Sequence, residues 1–122
     1  MTFALVPLSI FHAEIVSHLH QEGFDEFWSE KNFIDLIKMP ASYGFLACTD
    51  NLPVGFILCQ GDDLESEIIT IVSAQSQRRQ GLATLLLAAV LERSKTLFLE
   101  VGVDNPNALS FYKKMGFTEV GR

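Results

Sequence analysis

The sequence predicts a single α/β or α+β domain built on a mixed sheet, and three observations lead there. The chain has 122 residues, enough for one domain and too few for two, and a domain of this size buries most of the surface its unfolded chain exposes. Its composition, 48% hydrophobic and 20% charged with ten Phe, supplies the apolar side chains that disordered chains lack. Runs rich in β-formers alternate with runs of helical period in the order β-α-α-β-β-β-α-β-α-β. No internal repeat, low-complexity stretch or linker interrupts them, so residues 1–122 read as one domain.

The elements follow from local patterns. Residues 2–6 form a short strand that Pro7 stops, and Ser9 caps a helix whose apolar face is Ile10, Phe11, Ile15, Val16 and Leu19, closed by Gly23. Ser29 caps a second helix that carries Phe33, Ile34 and Ile37 and ends at Met39-Pro40. Residues 43–49 and 54–59 flank Asp50-Asn51 as a hairpin, with Pro53 near the start of its second strand. Gly61-Asp62-Asp63 makes the next break. Residues 67–73, dense in β-branched side chains, form the strongest strand and should be central. From Gly81 the period becomes helical, with Leu82, Leu85, Leu86, Ala89 and Val90 on one face. A strand over 96–103 follows, then a short helix with Asn105 as cap, Pro106 at its first position and Gly116 past its end, and residues 117–120 begin a last strand.

Composition also bounds function. The net charge of −6, from 15 acidic and 9 basic residues, argues against a protein that must neutralise a run of nucleic-acid phosphates and suits a cationic substrate. Cys48 and Cys59 lie in apolar runs without a metal-ligand spacing and read as reduced, buried thiols. The start of the chain has no secretory pattern, and the apolar stretch at 82–91 is half of a membrane span, so no membrane partner is expected and the cytoplasm is the simplest location. His12, His18 and His20 lack partners at ligand spacing, so they read as solvated or half-buried and no metal is expected. No Gly-x-Ser-x-Gly or Cys/His nucleophile set is present, which favours direct attack over a covalent enzyme intermediate.

Chemistry concentrates between the strong strand and the strong helix, where Gln77, Arg78, Arg79 and Gln80 precede Gly81, Leu82 and Ala83. Unpaired N–H groups and the helix dipole attract anions at such a start, a glycine admits a phosphate close to the backbone, and two arginines add charge. Neither Gly-x-Gly-x-x-Gly nor Gly-Lys-Ser/Thr occurs, so dinucleotide and nucleoside-triphosphate readings lose support and coenzyme A remains. The alternative is a solvated loop whose arginines only keep the surface wet.

Residues 77–83 resemble the Q/R-x-x-G-x-G/A motif with which the GNAT superfamily of acyltransferases binds the coenzyme A pyrophosphate. Leu99-Glu100-Val101 with Asn105, Ala108, Phe111-Tyr112-Lys113-Lys114 and Gly116-Phe117 resembles the corresponding segment of the ribosomal-protein-alanine N-acetyltransferases, the RimI-like branch. The stretch from Trp28 and Ser29 to Phe33 resembles that branch near its N-terminus. The resemblance implies a mostly antiparallel mixed sheet with helices on both faces, acetyl-CoA as co-substrate, and transfer to an amine, foremost the N-terminal α-amine of a ribosomal protein.

It also implies roles. Backbone of Thr70, Ile71 and Val72 would hold the thioester and pantetheine arm where the fourth strand splays from the fifth, and Asn105 would hydrogen-bond that arm besides capping its helix. Tyr112 would be the general acid for the departing thiolate, a phenol with reference pKa about 10 being able to donate there; on periodicity alone it is a core tyrosine beside Phe111. Glu100 would be the base or water-organiser, with Glu67 as the alternative, and an exposed carboxylate would need burial or a water relay to serve. Trp28 and Phe33 would line the acceptor groove, unless they are simply core. Relatives continue through a further strand that this chain does not reach, so a C-terminally abbreviated sheet is expected, with an open edge suited to a homodimer. A small-molecule amine as acceptor, or a non-catalytic acetyl-CoA-binding module, are the competing readings.

Overall fold

The computed structural model describes residues 3–74, 81–101 and 106–120. Strand β1 (Ala4–Pro7) leads through a 3-10 turn (Ile10–His12) into helices α1 (Ala13–Gly23) and α2 (Glu30–Lys38). Strands β2 (Ser42–Thr49), β3 (Leu52–Gly61) and β4 (Glu65–Ser73) follow, then α3 (Leu82–Leu91), β5 (Thr96–Phe98) and α4 (Pro106–Lys114). The strands form one sheet in the order β1-β2-β3-β4-β5, antiparallel except for the parallel β4–β5 pair.

Helices cover both faces. On one, Ala13, Val16 and Leu19 of α1 and Phe33 of α2 pack on Leu46, Phe56, Leu58 and Val72. On the other, Leu82, Leu86, Leu87 and Val90 of α3 pack on Ile57, Cys59 and Ile68, and Phe111 and Tyr112 of α4, with Met115 just past its end, close that cluster. Local chemistry sets the boundaries. At the start of α2 the Asn32 N–H donates to Ser29 Oγ and the Ser29 N–H donates to Asn32 Oδ1, each at 3.1 Å, a reciprocal cap. Asp50 (φ 51°) and Asn51 (φ 65°) make the two-residue turn whose positive dihedrals match the twist of β2 and β3.

The first residues of β5 are pinned to the β3–β4 turn. Tyr43 Oη donates to Ser66 Oγ (2.7 Å), Ser66 and Ser94 share a hydrogen bond (2.6 Å), and Ser94 Oγ donates to the Asp62 carbonyl. The Lys95 and Thr96 N–H groups donate to the Asp63 and Leu64 carbonyls, both at 3.1 Å.

Five expectations need correction. Ser9 precedes the 3-10 turn, and α1 begins only at Ala13. A 3-10 turn advances 120° per residue instead of 100°, which takes Ile10 and Phe11 off the buried face and leaves Phe11 91% exposed. In α3, Leu87 is buried and Leu85 exposed, because an unbroken apolar run leaves the phase of the stripe undetermined. The strong strand β4 has neighbours on both sides, but β3 is the middle strand. The β5 ladder covers only Thr96–Phe98. Residues 117–120 form no strand; the Phe117 N–H donates to the Tyr112 carbonyl (3.0 Å), which ties that segment back to α4.

Leu86 is fully buried beneath α3, so Leu86→Ala is expected to lower unfolding free energy by about 2–5 kcal/mol, read as a lower urea midpoint with an unchanged slope.

Candidate active site

Strands β4 and β5 pair over three residues, from Glu65↔Thr96 to Glu67↔Phe98. Just beyond, Ile68 opposes Cys59 and Thr70 opposes Leu58, so Ile69 is an extra residue, a β-bulge. A bulge bends its strand and sharpens its twist. Past it a cavity of about 440 Å³ lies between residues 68–71 and residues 99–101, closed by His20, Trp28 and Tyr112. A second, about 360 Å³, adjoins through Gly23, Phe24, Ile71, Ala108 and Tyr112 and runs to Val72, Ser73 and Ala83 at the start of α3.

The groove carries unmet hydrogen-bonding capacity. On the side that β5 leaves, residues 68–73 of β4 have no strand partner among the described residues, so their backbone groups are open to a ligand. Thr70 Oγ1 belongs to a side chain only 7% exposed, lines the larger cavity, and has no hydrogen-bond partner among the described residues. Buried polar atoms are rarely left so.

At the far end, Gly81 precedes α3 in a left-handed conformation (φ 79°), and a Cβ there would meet nothing within 4 Å. Glycine is therefore set by the backbone dihedral and not by crowding from the described residues. The first N–H groups of α3 lack intrahelical partners. Leu82 is buried in the core, so only its backbone is available to a ligand, whereas Ala83 lines the smaller cavity. Gln77, Arg78, Arg79, Gln80 and Asn105 lie outside the described residues.

Tyr112 lines both cavities. Burial pushes its phenol above the ordinary value of 10.0, so it keeps its proton and remains a donor at neutral pH. Its position depends on residues that follow it. Gly116 (φ 96°) is left-handed, the Gly116 N–H donates to the Lys113 carbonyl (3.1 Å), and the Phe117 N–H donates to the Tyr112 carbonyl. This is a Schellman cap, and its usual apolar contact is made here by the rings of Phe117 and Tyr112, with centroids 5.4 Å apart.

The other sequence-derived residues divide. Thr70, Ile71, Val72, Trp28 and Glu100 line the groove, with Glu100 exposed at its mouth. Glu67 does not. It is exposed in the closed part of the ladder opposite Gln60 and Phe98, before the strands part. Phe33 is 0% exposed, wedged against Trp28 and Phe56 with ring centroids 5.6 Å away in both cases. It supports Trp28 and lines neither cavity. Cys59 is buried and its thiol is pushed up to about 12, so no thiolate nucleophile arises there. Among the described residues no group of three or more His, Cys, Asp or Glu could hold a metal ion, and no helix is long and apolar enough to cross a membrane.

A family model described as the acetyltransferase (GNAT) family matches residues 13–117. The chain belongs to the GNAT acetyltransferase family. Among relatives of this GNAT chain is N-alpha-acetyltransferase 30 of Schizosaccharomyces pombe, 27% identical over 97% of the chain and 85% of the relative. An uncharacterized N-acetyltransferase of Methanocaldococcus jannaschii is 32% identical over 80% of the chain, which spans 51% of that protein's length. Two solved structures share the fold. The ribosomal-protein-S18-alanine N-acetyltransferase of Escherichia coli superposes with a TM-score of 0.88 at 24% identity, covering 98% of this chain and 80% of that one. An aminoglycoside N-acetyltransferase in complex with CoA superposes with a TM-score of 0.83 at 16% identity, covering 99% and 91%.

Sequence reasoning missed several residues of this GNAT groove, among them Phe24, Glu26 and His20. His20, read as solvated or half-buried, is 2% exposed and lines the larger cavity. Its ring stacks between Phe24 (4.3 Å) and Trp28 (4.7 Å), and the Trp28 N–H donates to its Nδ1 (3.1 Å). The only local signal is the i, i+4 spacing of His20 and Phe24; Trp28 joins through a tertiary turn.

Two outcomes follow. Gly116→Ala forces an L-residue into a left-handed conformation and is expected to cost about 1–2 kcal/mol, read as a lower urea midpoint. Burial lowers the pKa of His20 below 6.5, so the unfolded chain binds its proton more readily. The stability from neutral His20 is then fully present above pH 6.5 and is lost as pH falls through the lower folded-state value. Chemical denaturation between pH 7.5 and 5 should show a fall that His20→Phe reduces.

Proposed function

We propose that this chain transfers the acetyl group of acetyl-CoA to the N-terminal α-amine of a protein, a ribosomal protein first among them. The observation that carries the reading is the meeting, in one cavity, of the open β4 edge, the protonated Tyr112 and the carboxylates of Glu26 and Glu100, with no Lys or Arg in the lining among the described residues. An acidic mouth suits an ammonium that must arrive charged and leave a proton behind. The S. pombe relative is named for N-alpha-acetylation, and the E. coli enzyme of the same fold is named for the alanine of a ribosomal protein.

The coenzyme supplies an acetyl thioester that the amine attacks directly. The chain does the rest. Arg78, Arg79 and the start of α3, with Gln77, Gln80, Gly81 and the Leu82 and Ala83 backbone, hold the pyrophosphate. Thr70, Ile71 and Val72 offer the unpaired edge of β4 to the pantetheine arm and the thioester, and Asn105 steadies that arm. Tyr112 donates its hydroxyl proton to the departing sulfur. Glu100, exposed at the mouth, takes the ammonium proton through ordered water, a relay that its solvation makes necessary; Glu67 stands too far down the closed ladder to line the cavity. Trp28 forms one wall for the acceptor. Transfer to a small-molecule amine is the second reading, favoured by the shared fold of the aminoglycoside N-acetyltransferase.

A coenzyme A release assay across N-terminal peptides, Ala-leading ones first, and a panel of small amines separates the two. Peptide turnover is expected; silence on peptides with activity on small amines would overturn the acceptor assignment. Tyr112→Phe, which keeps the ring packing, is expected to lower kcat by about 10²-fold or more while leaving acetyl-CoA affinity unchanged by calorimetry. Loss of affinity in step with turnover would remove Tyr112 as the acid.

A further inference from the structure

We propose that His20 is a specificity-determining residue that presents its Nε2–H to the acceptor and donates to the carbonyl oxygen of an α-amino amide, so that the site selects peptide N-termini over plain amines. The inference rests on the acceptor class proposed above and names the group that reads it. Three observations carry it.

The first is the tautomer. Nδ1 accepts the Trp28 N–H at 3.1 Å, so it holds a lone pair, and the proton of a neutral ring must sit on Nε2. Nε2 is then a donor and has no capacity to act as a base. The second is rigidity. The ring lies between Phe24 (4.3 Å, 20° between planes) and Trp28 (4.7 Å, 18°), with the edge of Phe33 at 5.5 Å. Turning it over would break the Trp28 hydrogen bond. The third is placement. His20 is nearly buried yet lines the larger cavity with Glu26, Trp28, Glu100 and Tyr112, and among the described residues its side-chain hydrogen bond uses Nδ1 alone.

A peptide N-terminus matches this set of groups. Its ammonium suits the two carboxylates, and its first carbonyl, two bonds from the amine nitrogen through Cα, offers the acceptor that the fixed donor lacks. A plain alkylamine brings only the charge. A free amino acid brings a carboxylate into a cavity that already holds Glu26 and Glu100, which like-charge repulsion disfavours. The order of preference is therefore α-amino amide, then alkylamine, with the free amino acid last.

The test compares KM for an alanyl-peptide amide and for a plain alkylamine in wild type, His20→Phe and His20→Gln. Phenylalanine keeps the stack and removes both nitrogens; glutamine returns an N–H near the Nε2 position. His20→Phe is expected to raise the peptide KM about tenfold, the worth of one hydrogen bond, with the alkylamine KM and acetyl-CoA affinity unchanged and part of the loss recovered in His20→Gln. Equal changes for both acceptors, or none for the peptide, overturn the inference. Should the variants fail to fold, ¹⁵N-labelled wild type decides: the His20 Nε2 should be protonated and shift as peptide amide is added, and an Nδ1-protonated ring or an unmoved resonance overturns the inference. A wild type active on peptides but insensitive at His20 sinks this inference alone, whereas a wild type silent on every peptide sinks the acceptor class as well.

Discussion

Everything in the groove depends on the point at which β4 stops pairing with β5. Three ladder pairs hold the strands together, and Tyr43, Ser66, Ser94 and the Asp62 carbonyl fasten that end from beside the ladder. Two residues past the last pair the bulge at Ile69 bends β4. A sheet held at one end and bent just past the fastening opens as a wedge, and the wedge is the cavity. Its walls are backbone edges that would ordinarily be consumed by sheet formation, which is why a recognition surface there is almost independent of side-chain identity. Thr70, buried and without a partner among the described residues, is the side-chain counterpart of the same deficit.

What the sequence disclosed and what it withheld follow a physical division. Elements specified by contacts a few residues apart were legible. Ser29 and Met39-Pro40 bound α2 through a cap and proline sterics, Asp50-Asn51 demand a tight hairpin, and Gly116 ends α4. The branched residues of β4 mark a strand irrespective of its neighbours. Features that depend on which surface turns inward were not legible. The phase of α3 exchanged Leu85 for Leu87, a 3-10 turn carried Phe11 outward, and Phe33 proved to be a buried strut where a groove residue was expected. The bulge itself arises from register between two strands, and alternation in one strand cannot encode it.

The site shows the same division. Tyr112, Glu100 and Trp28 were all reached through the motifs of the resemblance, and all three line the groove. Glu67 sits two positions before the bulge, and that small offset is the difference between the closed ladder and the cavity. His20 was invisible because its environment is assembled from three aromatic rings and a backbone N–H that only the turn between α1 and α2 brings together.

The Schellman cap at Gly116 divides the groove between two stretches of chain. The bulge, the fastened ladder and the aromatic cage around His20 all lie within the first hundred residues. The Tyr112 ring lines both cavities from α4 and is held against Phe117, which follows Gly116. A change at one glycine therefore alters the wall opposite the bulge without touching the bulge itself.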